Sequence, residues 1–408
     1  MKKKDNALIL LCWLVYAGAY LGRYSYSSNI SQIMASYGVT HAQAGIAATF
    51  FFFSYGSVQF VSGFFCKRIN KRAAVAAALL VSALANLCVF FEPPFASVKY
   101  YWVVNGAAQS ILWPCLVSVL AENLSGEMLD RAVVITSTTV VAGTLLAYGV
   151  SAALAVRNAF RFSFLVGAAG MSVIAAVWFL FYNSACSGND SEDGERRELN
   201  ARNNSFRGRL VPFIALLCVF AVINNIIRDG LTSWLPSILK EKYSLADSLS
   251  ILLTVTLPLL SFGGTFFAVR LSRKIKDFAL LIGALFALAA AFLGAVVGMV
   301  DLPYWLPALI AFGFTCLMMH GINNVITSMI PLHLRDKADP GMLAGILNGC
   351  CTVGSTISAY AIGAAADSAG WDSVFRLLLL LCSVPVIAAA VYLLPSAIEK
   401  RRRSGKAW

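Results

Sequence analysis

Charge is scarce in this sequence. Asp, Glu, Lys and Arg together make up only 13% of the 408 residues, whereas 59% of the residues are hydrophobic. Soluble globular domains carry about 25% charged residues, so the composition excludes a soluble protein and predicts an integral membrane protein. Apolar runs of about 20 residues recur along the chain, and each is long enough for a helix across a hydrocarbon core about 30 Å thick. The predicted fold class is therefore an all-α membrane protein.

Several motifs that mark other protein classes are also missing. No G-x-x-x-x-G-K-S/T loop occurs, which argues against transport driven by ATP. The ten cysteines form no C-x-x-C pair and do not alternate with histidines at the spacing of metal ligands, so we expect free thiols and no metal site. No nucleophile, base and orienting residue recur at usable spacing, so the sequence predicts neither an enzyme nor a cofactor.

Embedded carboxylates are nearly absent. Of the 20 acidic residues, Asp229 alone lies within a predicted span and away from its end. Carriers coupled to protons generally need such carboxylates as relays, whereas exchange of one anion for another needs none. The sequence therefore favours antiport, and it leaves Asp229 as either half of a gating pair or a solvated residue near the outer mouth.

The apolar runs predict twelve spans. They cover residues 7–35, 42–65, 73–91, 99–121, 132–155, 161–182, 210–236, 248–270, 277–299, 304–330, 341–366 and 373–396. Most of the 32 Lys and Arg residues fall in alternate loops and at the two ends, which places both termini in the cytoplasm of a cell whose inner membrane holds the protein. The net charge of +12 is thus topological and does not indicate a nucleic-acid partner.

A polar segment divides the chain into two similar halves. Residues 183–209 read as a flexible cytoplasmic linker between a six-helix bundle at 1–182 and a second at 210–408, which ends in a basic tail. Phe160-Arg161 opens the sixth span, and Phe375-Arg376 opens the twelfth. Such internal repeats predict two pseudo-symmetric bundles around a central cavity, in a monomer whose partners are a small anion and membrane lipid.

Two arginines lie deep within spans at matching depth. Arg23 lies 16 residues after Ala7, and Arg228 lies 16 residues after Pro212, and each of these starting points is near the cytoplasmic end of its span. A guanidinium stays charged at any ordinary pH and costs at least about 2.5–3.5 kcal/mol near the middle of a bilayer, so both are expected to serve function. Asp229 is not expected to neutralise Arg228, because adjacent residues of a helix do not face each other. Polar residues adjoin both arginines, with Asn225 before Arg228, so Arg23 and Arg228 are expected to face a wet cavity.

The residues around these arginines carry a family resemblance. Tyr16, Tyr20 and Arg23 precede Ser54-Tyr55-Gly56, and the seventh span reads Ile226-Ile227-Arg228-Asp229-Gly230 and continues to Trp234-Leu235-Pro236. The chain resembles the organophosphate:phosphate antiporters of the major facilitator superfamily. That resemblance implies that Arg23 and Arg228 bind the phosphate of the substrate, and that Tyr16 and Tyr20, on the same face as Arg23, donate hydroxyls to it.

Further positions are candidates, and some depart from the family pattern. Gln109 and His320 are candidates to touch the substrate, although His320 fits a histidine satisfied within the bundle as well. Gln59, also a candidate, replaces a lysine of the family, and Ala142 lies near the place of its histidine. These changes keep a carboxylate or sulfonate substrate open. Lys67 and Arg273 occupy the loops where the family places a gating acidic residue. A transporter-like sensor of a sugar phosphate is a rival interpretation.

Overall fold

A computed structural model describes residues 2–65, 69–186, 210–299, 301–302, 304–334 and 340–404. Within these ranges the chain is helical, with no β-strand. The helices are α1 (Lys2–Tyr24), α2 (Ile30–Tyr37), α3 (His41–Phe65), α4 (Lys71–Phe90), α5 (Phe95–Ser110), α6 (Leu112–Asn123), α7 (Gly126–Ser137), α8 (Thr139–Ala155), α9 (Phe162–Ala185), α10 (Leu210–Glu241), α11 (Asp247–Thr254), α12 (Thr256–Ser272), α13 (Phe278–Gly298), α14 (Trp305–Asn324), α15 (Ile330–His333) and α16 (Pro340–Ser404). A 3₁₀ turn (Ser27–Asn29) precedes α2, and a π-helical segment (Val325–Met329) joins α14 to α15.

The helices coincide with the predicted spans. Among the described residues, nine helices are long and apolar enough to cross a membrane, and the longest, Met342–Val391, covers most of the last two predicted spans. The two remaining predictions, 42–65 and 132–155, also fall on helices, so a count of twelve is consistent with the structure.

Helix ends follow local chemistry. Asn70 accepts a hydrogen bond from the Ala73 amide at the start of α4, and Asp277 accepts one from the Leu280 amide at the start of α13. Side chains of this kind satisfy amides that have no partner in the first turn. The predicted loop between spans eleven and twelve is instead a break at one residue, Gly370, whose φ of 73° lies in a region that glycine adopts without strain.

The chain forms two compact units. The first comprises Met1–Ala201, Ser233–Val255 and Ala359–Ala364, and the second comprises Arg202–Thr232, Thr256–Ser358 and Ala365–Trp408. The predicted linker lies largely outside the described residues, because α9 ends at Ala185 and α10 begins at Leu210. The predicted division at 182 and 210 stays a prediction.

In the first unit, α1 packs on α8 and α9, α4 packs on α9, and α3 packs on α5. Their apolar faces bury Trp178, Leu79 and Leu116 in one core. This packing fixes the depth of α1, which carries Arg23, against α3 and α5. In the second unit, α14 packs on α12 and α13.

The first unit also contains close contacts at the start of α3. His41 Nε2 lies 2.8 Å from a carboxylate oxygen of Glu241, and the His41 ring packs on Trp234. Gly45 faces the carbonyl oxygen of Ala359, and Gly363 faces that of His41. A Cβ atom at either glycine would lie 2.2 or 2.6 Å from that oxygen. These two glycines therefore let α3 and α16 meet backbone to backbone.

Candidate functional site

Arg23 lies in the last turn of α1 and is surrounded by aromatic rings. Its Cζ atom lies 4.9 Å from the centre of the Tyr20 ring, 4.7 Å from that of Tyr55 and 5.9 Å from that of Phe51. Tyr20 comes from the same helix one turn earlier, whereas Phe51 and Tyr55 come from α3. Such cation–π contacts contribute from about 0.5 to about 2 kcal/mol each, with the larger values in desolvated sites.

Gln109 of α5 forms a hydrogen bond with the Arg23 guanidinium and is itself held by further hydrogen bonds. Arg23 Nε donates to Gln109 Oε1 over 3.0 Å, while Gln109 Nε2 donates to Ser82 Oγ over 2.9 Å and to Asn105 Oδ1 over 3.1 Å. Gln109, Asn105 and Ser82 are fully buried. Gln109 therefore positions Arg23, and its predicted contact with the substrate stays a prediction.

A second buried amide extends this network to α1. Asn86 Nδ2 and Asn105 Nδ2 both donate to the Gly22 carbonyl oxygen, over 3.1 and 3.0 Å, and Ser25 Oγ donates to Asn86 Oδ1 over 2.7 Å. Buried polar groups cost little only when they are hydrogen bonded, so these contacts fix the end of α1 in one register. The direction of the Arg23 side chain follows from that register.

Tyr16 lies one turn before Tyr20 and completes the aromatic group. The Tyr16 ring packs 4.8 Å from Trp113 and 5.6 Å from Tyr20, and the Tyr16 side chain lies close enough to Tyr55 to interact with it electrostatically. Tyr16 and Tyr20 are both buried. The structure thus brings the two predicted tyrosines to the predicted arginine and adds Tyr55.

The charge of Arg23 has no carboxylate partner among the described residues. Its Nη2 atom is buried and has no hydrogen-bond acceptor there. Arg23 is half-buried, and its partners are aromatic rings and one neutral acceptor, none of which neutralises its charge. An anion bound at Arg23 would therefore neutralise a positive charge that these neighbours leave unneutralised.

Arg228 of α10 has different surroundings. Its Nε donates to Asp229 Oδ1 over 2.7 Å and its Nη2 donates to Asp229 Oδ2 over 3.2 Å. The expectation that Asp229 would not neutralise Arg228 was wrong. It considered only the directions of the two Cβ atoms, whereas the long arginine side chain bends round to its neighbour. Ser355 of α16 donates a further hydrogen bond to Asp229.

Other predicted residues surround this pair. His320 of α14 lies close enough to Arg228 and Asp229 to interact electrostatically with both. Asn225 Nδ2 donates to the Ala221 carbonyl oxygen over 3.0 Å, and its side chain is 1% exposed. Asn225 therefore does not face open solvent. Its contact with substrate stays a prediction.

The remaining predicted positions are spread out. Gln59 is half-buried on α3, one turn after Tyr55. Arg273 is exposed in the turn after α12, and Lys67 lies outside the described residues. The gating roles of Lys67, Arg273 and Asp229 stay predictions.

Two features of the site were not predicted. Ser54-Tyr55-Gly56 contributes to the family resemblance, but α3 is rich in aromatic residues and nothing in the sequence singles out Tyr55 as a neighbour of Arg23. The network behind Gln109 did leave a signal in the sequence. Ser82 and Asn86 lie four apart in α4, as do Asn105 and Gln109 in α5, and polar side chains at that spacing in apolar helices face one direction.

Comparison with known proteins decides the family. A sequence profile described as Major Facilitator Superfamily matches residues 12–339. This chain belongs to the Major Facilitator Superfamily. Together with the apolar helices, membership of this superfamily confirms the predicted all-α, multi-pass membrane fold. A solved structure of the same fold, a bacterial homolog of the human lysosomal transporter Spinster, superposes with a TM-score of 0.76 over 97% of this chain and 98% of that one, at 15% identity.

Two relatives indicate which kind of membrane protein this chain resembles. The membrane sensor protein UhpC of Escherichia coli strain K12 is 29% identical over 102 residues, which are 25% of this chain and 23% of the sensor. Sugar phosphate exchanger 3 of Bos taurus is 24% identical over 421 aligned positions, which cover 88% of this chain and 82% of the exchanger. This chain thus aligns with less than a quarter of the length of UhpC. Both relatives agree with the predicted resemblance to organophosphate:phosphate antiporters.

Proposed function

We propose that this protein exchanges a small organophosphate for inorganic phosphate by alternating access, with Arg23 and Arg228 as its anion-binding residues. The observation that carries the proposal is the half-buried Arg23 side chain, whose buried Nη2 atom has no acceptor and whose charge has no carboxylate partner among the described residues. The name of one relative, sugar phosphate exchanger 3, supports a phosphate ester over a carboxylate or sulfonate.

The chemistry of Arg23 supports this substrate class. A guanidinium presents a planar fork of donors that matches the oxygens of a tetrahedral oxyanion, and such charge-assisted hydrogen bonds are the strong kind. Tyr16, Tyr20 and Tyr55 surround the guanidinium and carry hydroxyls that can donate to the same anion. We assign Gln59, Asn225 and His320 as further candidates for the organic part of the substrate.

Exchange is supported over ion-coupled symport by the shortage of embedded carboxylates. Asp229, the acidic residue of the seventh span, is hydrogen bonded to Arg228 and Ser355 in this structure. A proton relay requires a carboxylate free to change its protonation state. An anion that replaces another anion requires no such group, and the protein then needs neither catalytic residues nor a cofactor.

Reconstitution tests the proposal. Proteoliposomes loaded with phosphate should take up labelled phosphate, and external glucose 6-phosphate or glycerol 3-phosphate should compete with that uptake. Arg23→Ala should abolish uptake. Arg161→Ala is the matched control, because Arg161 is half-exposed and its ion pair with Glu92 is 3.5 Å long. Absence of phosphate exchange with every organophosphate tried would refute the proposal, and exchange only with carboxylates or sulfonates would support that rival.

A membrane sensor is the second candidate function, because UhpC carries that name. A sensor binds its ligand without moving it across the membrane. Stabilisation of the purified protein by a sugar phosphate, with no counterflow in proteoliposomes, would favour the sensor and exclude the exchanger.

The proposed exchanger is a monomer in the cytoplasmic membrane with both termini in the cytoplasm. The predominance of Lys and Arg in alternate loops supports this topology. Labelling of single cysteines placed at the termini with an impermeant maleimide should require disrupted cells. Labelling in intact cells would reverse the orientation.

A further inference from the structure

The Arg228–Asp229 pair is the part of the proposed binding machinery that family resemblance does not explain. Both carboxylate oxygens of Asp229 accept hydrogen bonds from Arg228, and Ser355 donates another. The side chains of Arg228 and Asp229 are 23% and 17% exposed, so water screens their charges only in part. Arg228 thus offers an incoming anion a neutral ion pair rather than a free cation.

The two arginines therefore differ in the charge they offer. Arg23 contributes one uncompensated positive charge, and Arg228 with Asp229 contributes none. An anion that binds at Arg228 lies beside the Asp229 carboxylate, which repels a ligand with two negative charges more strongly than a ligand with one.

We propose that Asp229 is a specificity-determining residue that restricts the substrate to anions of single negative charge, namely phosphodiesters or the singly ionised form of phosphate monoesters. This inference rests on the proposed function, because it requires the anion to approach Arg228. Repulsion between like charges in partly desolvated surroundings is strong enough to change relative affinity by at least about tenfold.

Two simple ligands distinguish the effect of the ligand's own charge on binding from the effect of titrating groups in the protein. Methyl phosphate loses its second proton near pH 6, so it is largely a monoanion at pH 5.5 and a dianion at pH 7.5. Dimethyl phosphate is a monoanion at both values. His320, Cys316 and Cys351 interact electrostatically with Arg228 and Asp229, and any change in their protonation acts on both probes. The diester therefore reports the contribution of the protein.

The experiment measures Kd for both probes by calorimetry on the full-length protein in detergent. For wild type we expect affinity for methyl phosphate to fall at least about tenfold from pH 5.5 to pH 7.5 relative to dimethyl phosphate. Asp229→Asn keeps the shape of the side chain and removes its charge. It should raise the affinity for methyl phosphate over dimethyl phosphate at pH 7.5 by at least about tenfold.

Three variants control the interpretation. Asp229→Glu retains the charge and should retain the wild-type preference. Ser355→Ala removes one hydrogen bond to Asp229 without altering charge, and should change the preference by less than about threefold. Asp247→Asn removes a carboxylate from a different ion pair, with Lys240 at 2.8 Å, and should change nothing.

The outcomes separate this inference from the proposed function. An unchanged preference in Asp229→Asn, or a wild type that prefers the dianion, would overturn the role of Asp229. Binding that persists in Arg23→Ala would instead overturn the proposed anion site. A wild type that binds neither probe would overturn both.

Discussion

Arg23 and Arg228 occupy equivalent places in the two halves of the sequence, yet their surroundings differ. Arg23 has aromatic rings and a neutral amide as neighbours, and one buried donor without an acceptor. Arg228 has a carboxylate that accepts two of its hydrogen bonds. The two halves therefore place an arginine charge at the same position but surround it with different partners. Within the described part of the chain, only Arg228 of the two has a carboxylate that neutralises its charge, and this makes the two halves chemically distinct.

The largest expected effect is on Arg23. Arg23→Ala should lower phosphate exchange at least about 100-fold, because two charge-assisted hydrogen bonds of about 1.5–3 kcal/mol each are lost. Thermal unfolding should show no loss of stability, since the removed charge had no ion-pair partner. A large fall in unfolding temperature would instead assign Arg23 a structural role.

A carboxylate placed beside Arg23 would give it the kind of partner that Arg228 has. Gln109→Glu places a carboxylate next to Arg23 Nε, where the amide oxygen now accepts at 3.0 Å. Arg23 should then be neutralised as Arg228 is, and affinity for phosphate should fall at least about tenfold below that of Gln109→Leu. Gln109→Leu is the control, because it breaks the same hydrogen bonds without adding charge. Equal affinity in the two variants would contradict the electrostatic difference between the halves.

For the stability of the fold, in contrast, the larger effect is expected from loss of Arg228. Arg228→Ala leaves Asp229 without its cation and should lower the free energy of unfolding by about 1–3 kcal/mol. Arg228→Ala combined with Asp229→Asn should recover most of that loss. Unfolding in detergent measures the coupling, and additive effects of the two substitutions would show that the pair contributes nothing.

The smallest expected effect concerns the hydroxyl of Tyr55. Tyr55→Phe keeps the ring 4.7 Å from Arg23 and removes one donor, so affinity should fall about two- to tenfold. Tyr55→Leu also removes the ring and should weaken binding further. Equal affinities in both variants would exclude a contribution from the cation–π contact.

Much of the fold could be predicted from the sequence, because a helix that crosses a membrane must be long and apolar. The connection at Gly370 was not predicted. Gly370-Trp371-Asp372 reads as a loop, but a single glycine with positive φ turns the chain between two helices. Periodicity detects where polar residues cluster, and it does not detect how few residues a turn requires.

The site was predictable in part for a related reason. Arg23 and Arg228 are visible because a charge is rare in an apolar span, and Gln109 is visible as an amide in another. Their partners depend on side-chain reach and on packing between distant helices. Helical spacing therefore missed both the bend of Arg228 toward Asp229 and the approach of Tyr55 to Arg23.

The close backbone approach of α3 and α16, at Gly45 opposite Ala359 and at Gly363 opposite His41, has a mechanical consequence. Where long side chains join two helices, the helices can slide apart gradually while the side chains remain in touch. Here a carbonyl oxygen lies where each glycine's missing Cβ would be, so no flexible group spans the gap. Any separation of α3 from α16 at this junction would therefore break these contacts together, because no side chain can keep the two helices in touch over a longer distance.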